Sequence, residues 1–209
     1  MIKKFLILFI FIAFIAYLHY LRCIYGDNLA ILIPDALLAG FLDCFIIGYM
    51  CSFIKNIKYK KELLSPIELK YISLVFKNKF LLLIFLFSAI PFIIVDDAIK
   101  SNILMHFLYV INLIIFVPLS IMIIGFSLKN NIYHYFKIFN FFDYIKNTIL
   151  FCGTFLMLLI PTLYVLYNFK NLALMTIILT INVYIIHIFI FIWFYYLTKL
   201  VLKKENSNE

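Results

Sequence analysis

Four polar side chains interrupt otherwise apolar sequence in a way that could support chemistry. Asp43 sits near the middle of the run Leu29–Ile54, Asn112 lies in Ile103–Leu128, and Asn182 and His187 lie in Ala173–Thr198. An ionisable group surrounded by hydrocarbon is costly and is a functional suspect by default. A lone carboxylate in such surroundings is either protonated or paired. Counting ~1.5 Å of rise per helical residue puts Asp43 and His187 at similar depth, with Asn112 and Asn182 nearer the outside. An Asp43–His187 pair would carry a proton or coordinate a substrate; the plainer reading is an interhelical hydrogen bond that fixes packing. Arg22 and Asp35 fall within reach of one another at the outer lip, either as a structural ion pair or as an entrance ligand.

The elements that would position these groups follow from composition. Of 209 residues, 67% are hydrophobic and 13% charged, whereas a soluble domain is about 45–50% apolar and about 25% charged. Mean hydropathy is +1.11. A soluble fold of this size could not hide so much apolar surface. Soluble enzyme, nucleic-acid-binding domain and disordered chain are therefore excluded classes, and the solvent is a bilayer. A spanning helix needs about 20 mostly apolar residues. Six stretches qualify: Phe5–Leu21, Leu29–Ile54, Phe80–Val95, Ile103–Leu128, Thr148–Tyr167 and Ala173–Thr198. Strand-type alternation is absent, which argues against a barrel. The fold class expected is all-α and polytopic, one six-span domain over residues 1–199 with a polar cytoplasmic tail at 200–209.

Charge orients this bundle. With the N-terminus inside, all of the 18 basic residues except Arg22, Lys100 and Lys170 fall in inner segments. That bias predicts a multi-pass protein of the inner or plasma membrane with both termini cytoplasmic. The first span lacks an A-x-A cleavage site and is read as retained. The cysteines Cys23, Cys44, Cys51 and Cys152 form no C-x-x-C pattern and read as small buried hydrophobes.

Several features concern packing. Ala36, Gly40, Cys44, Gly48 and Ser52 recur every four residues, a small-residue stripe that permits close helix approach, either within the chain or on a dimerising face. Pro34, Pro91, Pro118 and Pro161 interrupt spans two to five. Two inner loops read as amphipathic helices on the inner leaflet. The first opens on Ser65-Pro66-Ile67-Glu68, a capping-box pattern, with Ile67, Tyr71, Leu74 and Val75 on one face. The second runs from Ile132 to Asn147 with His134, Lys137, Asn140, Asp143 and Asn147 at helical spacing. Ile46-Ile47-Gly48-Tyr49 and Ile123-Ile124-Gly125-Phe126, each followed later by Ile-Pro, suggest a parallel repeat over 29–95 and 103–167.

Gly48-Tyr49, then Ile54-Lys55-Asn56, a polar stretch and Pro66, resemble the opening of a bacterial and archaeal family of polytopic proteins carrying a domain of unknown function. Pro118, Ile138–Phe142 and Ile145-Lys146-Asn147 are similar to that family's middle region, so the resemblance covers about Leu37 to Phe155. It implies a multi-helical membrane domain and brings no activity and no catalytic residues.

Recognisable catalytic motifs are missing: there is no H-E-x-x-H, no G-x-S-x-G and no glycine-rich phosphate loop. The expectation is a structural or accessory membrane component without metal or cofactor. Its partners would be the bilayer, anionic lipids met through the inner-loop lysines, and a membrane protein or a second copy, with no nucleic acid. The alternative is a small transporter or permease subunit working through Asp43 and His187.

Overall fold

The structure, a computed structural model, describes residues 29–63, 68–83, 102–168 and 172–208, together with residues 10, 13, 14 and 17. Its elements are α1 (Leu29–Lys58), α2 (Lys70–Lys77), α3 (Asn102–Lys129), a 3-10 turn (His134–Lys137), α4 (Phe141–Asn168) and α5 (Leu172–Asn208). Residues 79–83 are also helical, and no strand occurs among the described residues. Among the described residues, three stretches are long and apolar enough to cross a membrane: Gly40–Lys58, Phe141–Leu158 and Tyr184–Ser207.

Helix is the natural outcome for these runs, because only a helix satisfies every backbone group of an isolated apolar segment. The helices outrun the apolar stretches that announce them. At ~1.5 Å per residue, the 37 residues of α5 extend ~55 Å, well beyond a hydrocarbon core of about 30 Å. Neither Gly nor Pro interrupts α5, so nothing stops the helix where the membrane stops. The polar segment from residue 200 thus continues α5 as far as Asn208. Termination elsewhere is explicit. After α1, Lys60 adopts φ 52° and the Lys61 N–H reaches the Asn56 carbonyl at 3.0 Å, the six-to-one closure of a Schellman end. After α3, Asn130 adopts φ 54° and its N–H bonds the Phe126 carbonyl at 3.0 Å.

Two expectations for the inner loops change. The first amphipathic helix begins at Lys70, with Leu69 as its N-cap and no side-chain cap. Residues 64–67, which hold Ser65, Pro66 and Ile67, lie outside the described residues. Tyr71 and Val75 are its buried residues. The second expected helix, 132–147, is not one element. It divides at Asn140 into the 3-10 turn and the first two turns of α4. The division has a local cause. Asn140 Oδ1 accepts from the Asp143 N–H at 2.8 Å, and Asp143 Oδ2 accepts from the Asn140 N–H at 3.1 Å. This reciprocal pair is a capping box, and it starts α4 there. Asn140→Ala should therefore cost about 1 kcal/mol, read as a lowered unfolding temperature of the detergent-purified chain with unchanged helix content by circular dichroism.

The chain divides into two compact units, Met1–Asp43 with Gly153–Ile192, and Cys44–Cys152 with Trp193–Glu209. In the first unit Phe155 of α4 and Phe189 of α5 lie 6.4 Å apart, and Leu42 is buried. In the second, Phe116 of α3 stacks on Phe151 of α4 at 4.5 Å and meets Phe194 of α5 edge-on at 6.2 Å. Phe151 also lies 5.0 Å from Trp193. Cys51 of α1 and Ser127 of α3 are both buried, and the Ser127 hydroxyl donates to the Ile123 carbonyl of its own helix at 2.7 Å. Val117, Ile121, Ile124, Leu197 and Val201 fill the space between, each fully buried.

Candidate functional site

The described polar chemistry gathers at the lysine-rich end of the second unit, where α3 finishes, α4 starts and α5 runs on. Glu205 is the centre. Its side chain is 11% exposed, and its Oε1 lies 2.6 Å from the Lys129 ammonium at the end of α3. The Tyr135 hydroxyl donates to Oε2 at 3.1 Å. His134 Nε2 stands 3.6 Å from Oε1, and its ring meets Tyr135 edge-on at 4.8 Å. The Lys58 charge adds to the positive field around this carboxylate. Tyr135 itself is fully buried. Burial, and then the Glu205 carboxylate beside it, push its phenol far above the usual range, so it stays a proton donor to Glu205.

A second pair lies one residue away along α5. Lys204 forms an ion pair with Asp143, the residue that also caps α4. The same ammonium stands 5.2 Å from the Phe139 ring centroid, a cation–π contact. Asn147, one turn further along α4, is buried and donates to the Asp143 carbonyl at 2.7 Å. Each of these carboxylates is held by a lysine from another helix. The arrangement offers no activated nucleophile and no unneutralised acid; chemically it is a latch that ties the end of α5 to α3 and α4.

Two glycines bring the loop segments onto the helices. A Cβ on Gly48 would overlap the Tyr71 carbonyl oxygen, so α2 crosses α1 with backbone against backbone. Tyr71 then lies 5.4 Å from the Tyr49 ring and 6.1 Å from the Phe45 ring, both edge-on, and its hydroxyl donates to Ser52 Oγ at 3.4 Å. A Cβ on Gly125 would stand 2.7 Å from the Asn131 carbonyl oxygen. The Ile-Ile-Gly segments of α1 and α3 thus do the same job, each accepting the chain that follows it.

The residues singled out by sequence divide accordingly. Cys44 is buried, and Gly48 and Ser52 together receive Tyr71, while Gly40 is half-buried. Asn182 is 9% exposed and His187 is half-buried, five residues apart on α5 in the first unit. Asp43 also belongs to that unit, and Asn112 to the other. The side chains of Asp35, Ala36, Asp43 and Asn112, and Arg22 as a whole, lie outside the described residues. Sequence reading missed Glu205, Lys129, Tyr135 and Lys204. The available signal was the breaker-free continuation of α5, which carries Lys204 and Glu205 past the apolar run as helix rather than tail. Comparison with protein-family models, curated proteins and solved structures returns no match to this chain.

Proposed function

We propose that this chain is a structural or accessory component of the cell membrane, built to hold a fixed lysine-rich end to its helices for other membrane constituents. One observation supports the reading above others: Glu205, Asp143 and Glu68 at that end are each paired with a lysine of the same chain. What remains outward is mainly basic: Lys55, Lys60, Lys61, Lys137 and Lys146 are exposed, beside the single exposed carboxylate of Glu62 among the described residues. In this reading the chain crosses the membrane six times with both termini cytoplasmic, supported by the one-sided distribution of basic residues. The resemblance to an uncharacterised polytopic family adds a multi-helical architecture and no activity.

Affinity purification of the tagged chain from its native membranes, with protein quantification, tests the proposal. The expected result is a membrane protein recovered in fixed ratio, unchanged by Asp43→Asn or His187→Ala. A chain recovered without a stoichiometric partner, whose proteoliposomes pass protons or a solute in a manner abolished by Asp43→Asn, would replace this reading with transport.

A further inference from the structure

Where α3, the 3-10 turn and the start of α4 meet, the second unit carries an open groove of about 480 Å³. Ile114, Pro118, Phe136, Tyr144, Ile145 and Ile149 line it, together with Thr148. Its walls are almost wholly aliphatic and aromatic, and its volume is on the scale of one lipid acyl chain. Ile114 and Ile149 are 51% and 67% exposed, so the groove opens onto surface that only hydrocarbon solvates well. The proline contributes to its form: Pro118 has no N–H to offer the Ile114 carbonyl four residues back, and both residues line the groove.

Charge at the rim says what the occupant carries. Lys137 follows Phe136 in the 3-10 turn and Lys146 follows Ile145 in α4, and both are exposed. Neither makes an ion pair within 4 Å among the described residues, although Lys146 feels the charge of Asp143. Asp143 is the carboxylate nearest in sequence, and Lys204 already pairs with it, so it does not repel an arriving anion at full strength. Tyr144 lines the groove, and its ring lies 5.7 Å from that of Phe136. An apolar trough whose lining residues Phe136 and Ile145 are each followed in sequence by an exposed lysine matches a molecule with a long hydrocarbon chain and a negative head. We propose that this groove is a binding site for an anionic phospholipid, with one acyl chain along Ile114, Pro118 and Ile149 and the phosphate held by Lys137 and Lys146.

This site goes beyond the accessory role proposed above and does not depend on it, since its test involves no protein partner. The whole chain is purified in mild detergent and titrated with phosphatidylglycerol or phosphatidylcholine, and retained lipid is read by native mass spectrometry. Phosphatidylglycerol should be retained preferentially. Lys137→Gln and Lys146→Gln should each weaken its retention about fivefold, in line with about 1 kcal/mol per lysine at an anionic surface. Lys199→Gln, at an exposed lysine of α5, should leave it unchanged. Ile149→Trp, which fills the trough and keeps both lysines, should abolish retention; Ile149→Phe adds less bulk at the same place and serves if the tryptophan variant does not fold. Equal retention of the two lipids, an equal loss in the Lys199 control, or full retention in the groove-filled variants would overturn the site. So would a dimer whose formation protects the groove and is indifferent to phosphatidylglycerol.

Discussion

Gly48→Ala should destabilise the chain by about 3 kcal/mol, more than alanine at Gly125 or Gly153. The reason is what the new methyl group meets. A Cβ there would overlap the Tyr71 carbonyl oxygen and crowd the Tyr71 carbonyl carbon and Cβ. The obstacle is backbone, held in α2 by its own hydrogen bonds, and cannot swing aside as a side-chain tip could. Accommodation requires α2 to move off α1, which would separate Tyr71 from Phe45 and Tyr49 and stretch the contact to Ser52. Gly125→Ala meets the Asn131 carbonyl at 2.7 Å, an obstacle in a loop rather than a helix, and should cost about 1 kcal/mol. Gly153→Ala has nothing within 4 Å and sits inside α4, so it should stabilise by about 0.5–1 kcal/mol through helix propensity alone. Thermal unfolding of the three detergent-purified variants should therefore order as Gly153→Ala above the parent, then Gly125→Ala, then Gly48→Ala. A Gly48→Ala protein as stable as the parent would show that α2 is not seated on α1.

The same glycines show how far the sequence carries. The Ile-Ile-Gly recurrence at 46–48 and 123–125 is visible by eye, and a four-residue stripe of small side chains announces close approach on α1. What approaches is not visible. Gly48 receives Tyr71 and Gly125 receives Asn131, one from 23 residues downstream and the other from six, and no local pattern encodes that difference. The apolar runs located α1, α3, α4 and α5 but misjudged their ends, because hydropathy reports the thickness of the bilayer and not the length of the helix. The start of α4 moved from Thr148 to Phe141 for this reason. It is the Asn140–Asp143 cap that begins the helix, seven residues before the apolar run does. The intramembrane quartet was chosen for the cost of burying polar groups, and that argument holds for any pair of partners. Long-range pairing is where sequence reading had no purchase: Tyr135 finds Glu205 across 70 residues, and Asp143 finds Lys204 across 61.

That pairing makes the second large prediction. Glu205→Ala should lower stability by about 2 kcal/mol, although residue 205 stands in the most polar and least conspicuous part of the chain. Removing the carboxylate leaves the Lys129 ammonium without its 2.6 Å partner and the fully buried Tyr135 hydroxyl without its acceptor. The loss is dominated by these stranded groups, since a buried donor that cannot reach water costs more than a hydrogen bond contributes net. It falls short of the 3–5 kcal/mol typical of a broken buried ion pair because the Lys129 side chain is 35% exposed and recovers part of its hydration. Glu205→Gln keeps the shape and an acceptor for Tyr135 and should cost about 1 kcal/mol, the part that belongs to charge. Lys129→Met in the Glu205→Gln background should then add less than Lys129→Met alone, because the charge it would strand is already gone. Lys199→Gln, on the exposed side of the same helix, serves as the control and should leave unfolding unchanged. If Glu205→Ala behaved like Lys199→Gln, the end of α5 would be a free tail. If it behaves as expected, the last turns of α5 are a structural strut, and removing residues 203–209 should destabilise the protein at least as much as Glu205→Ala, because Lys204 and its bond to Asp143 leave with them.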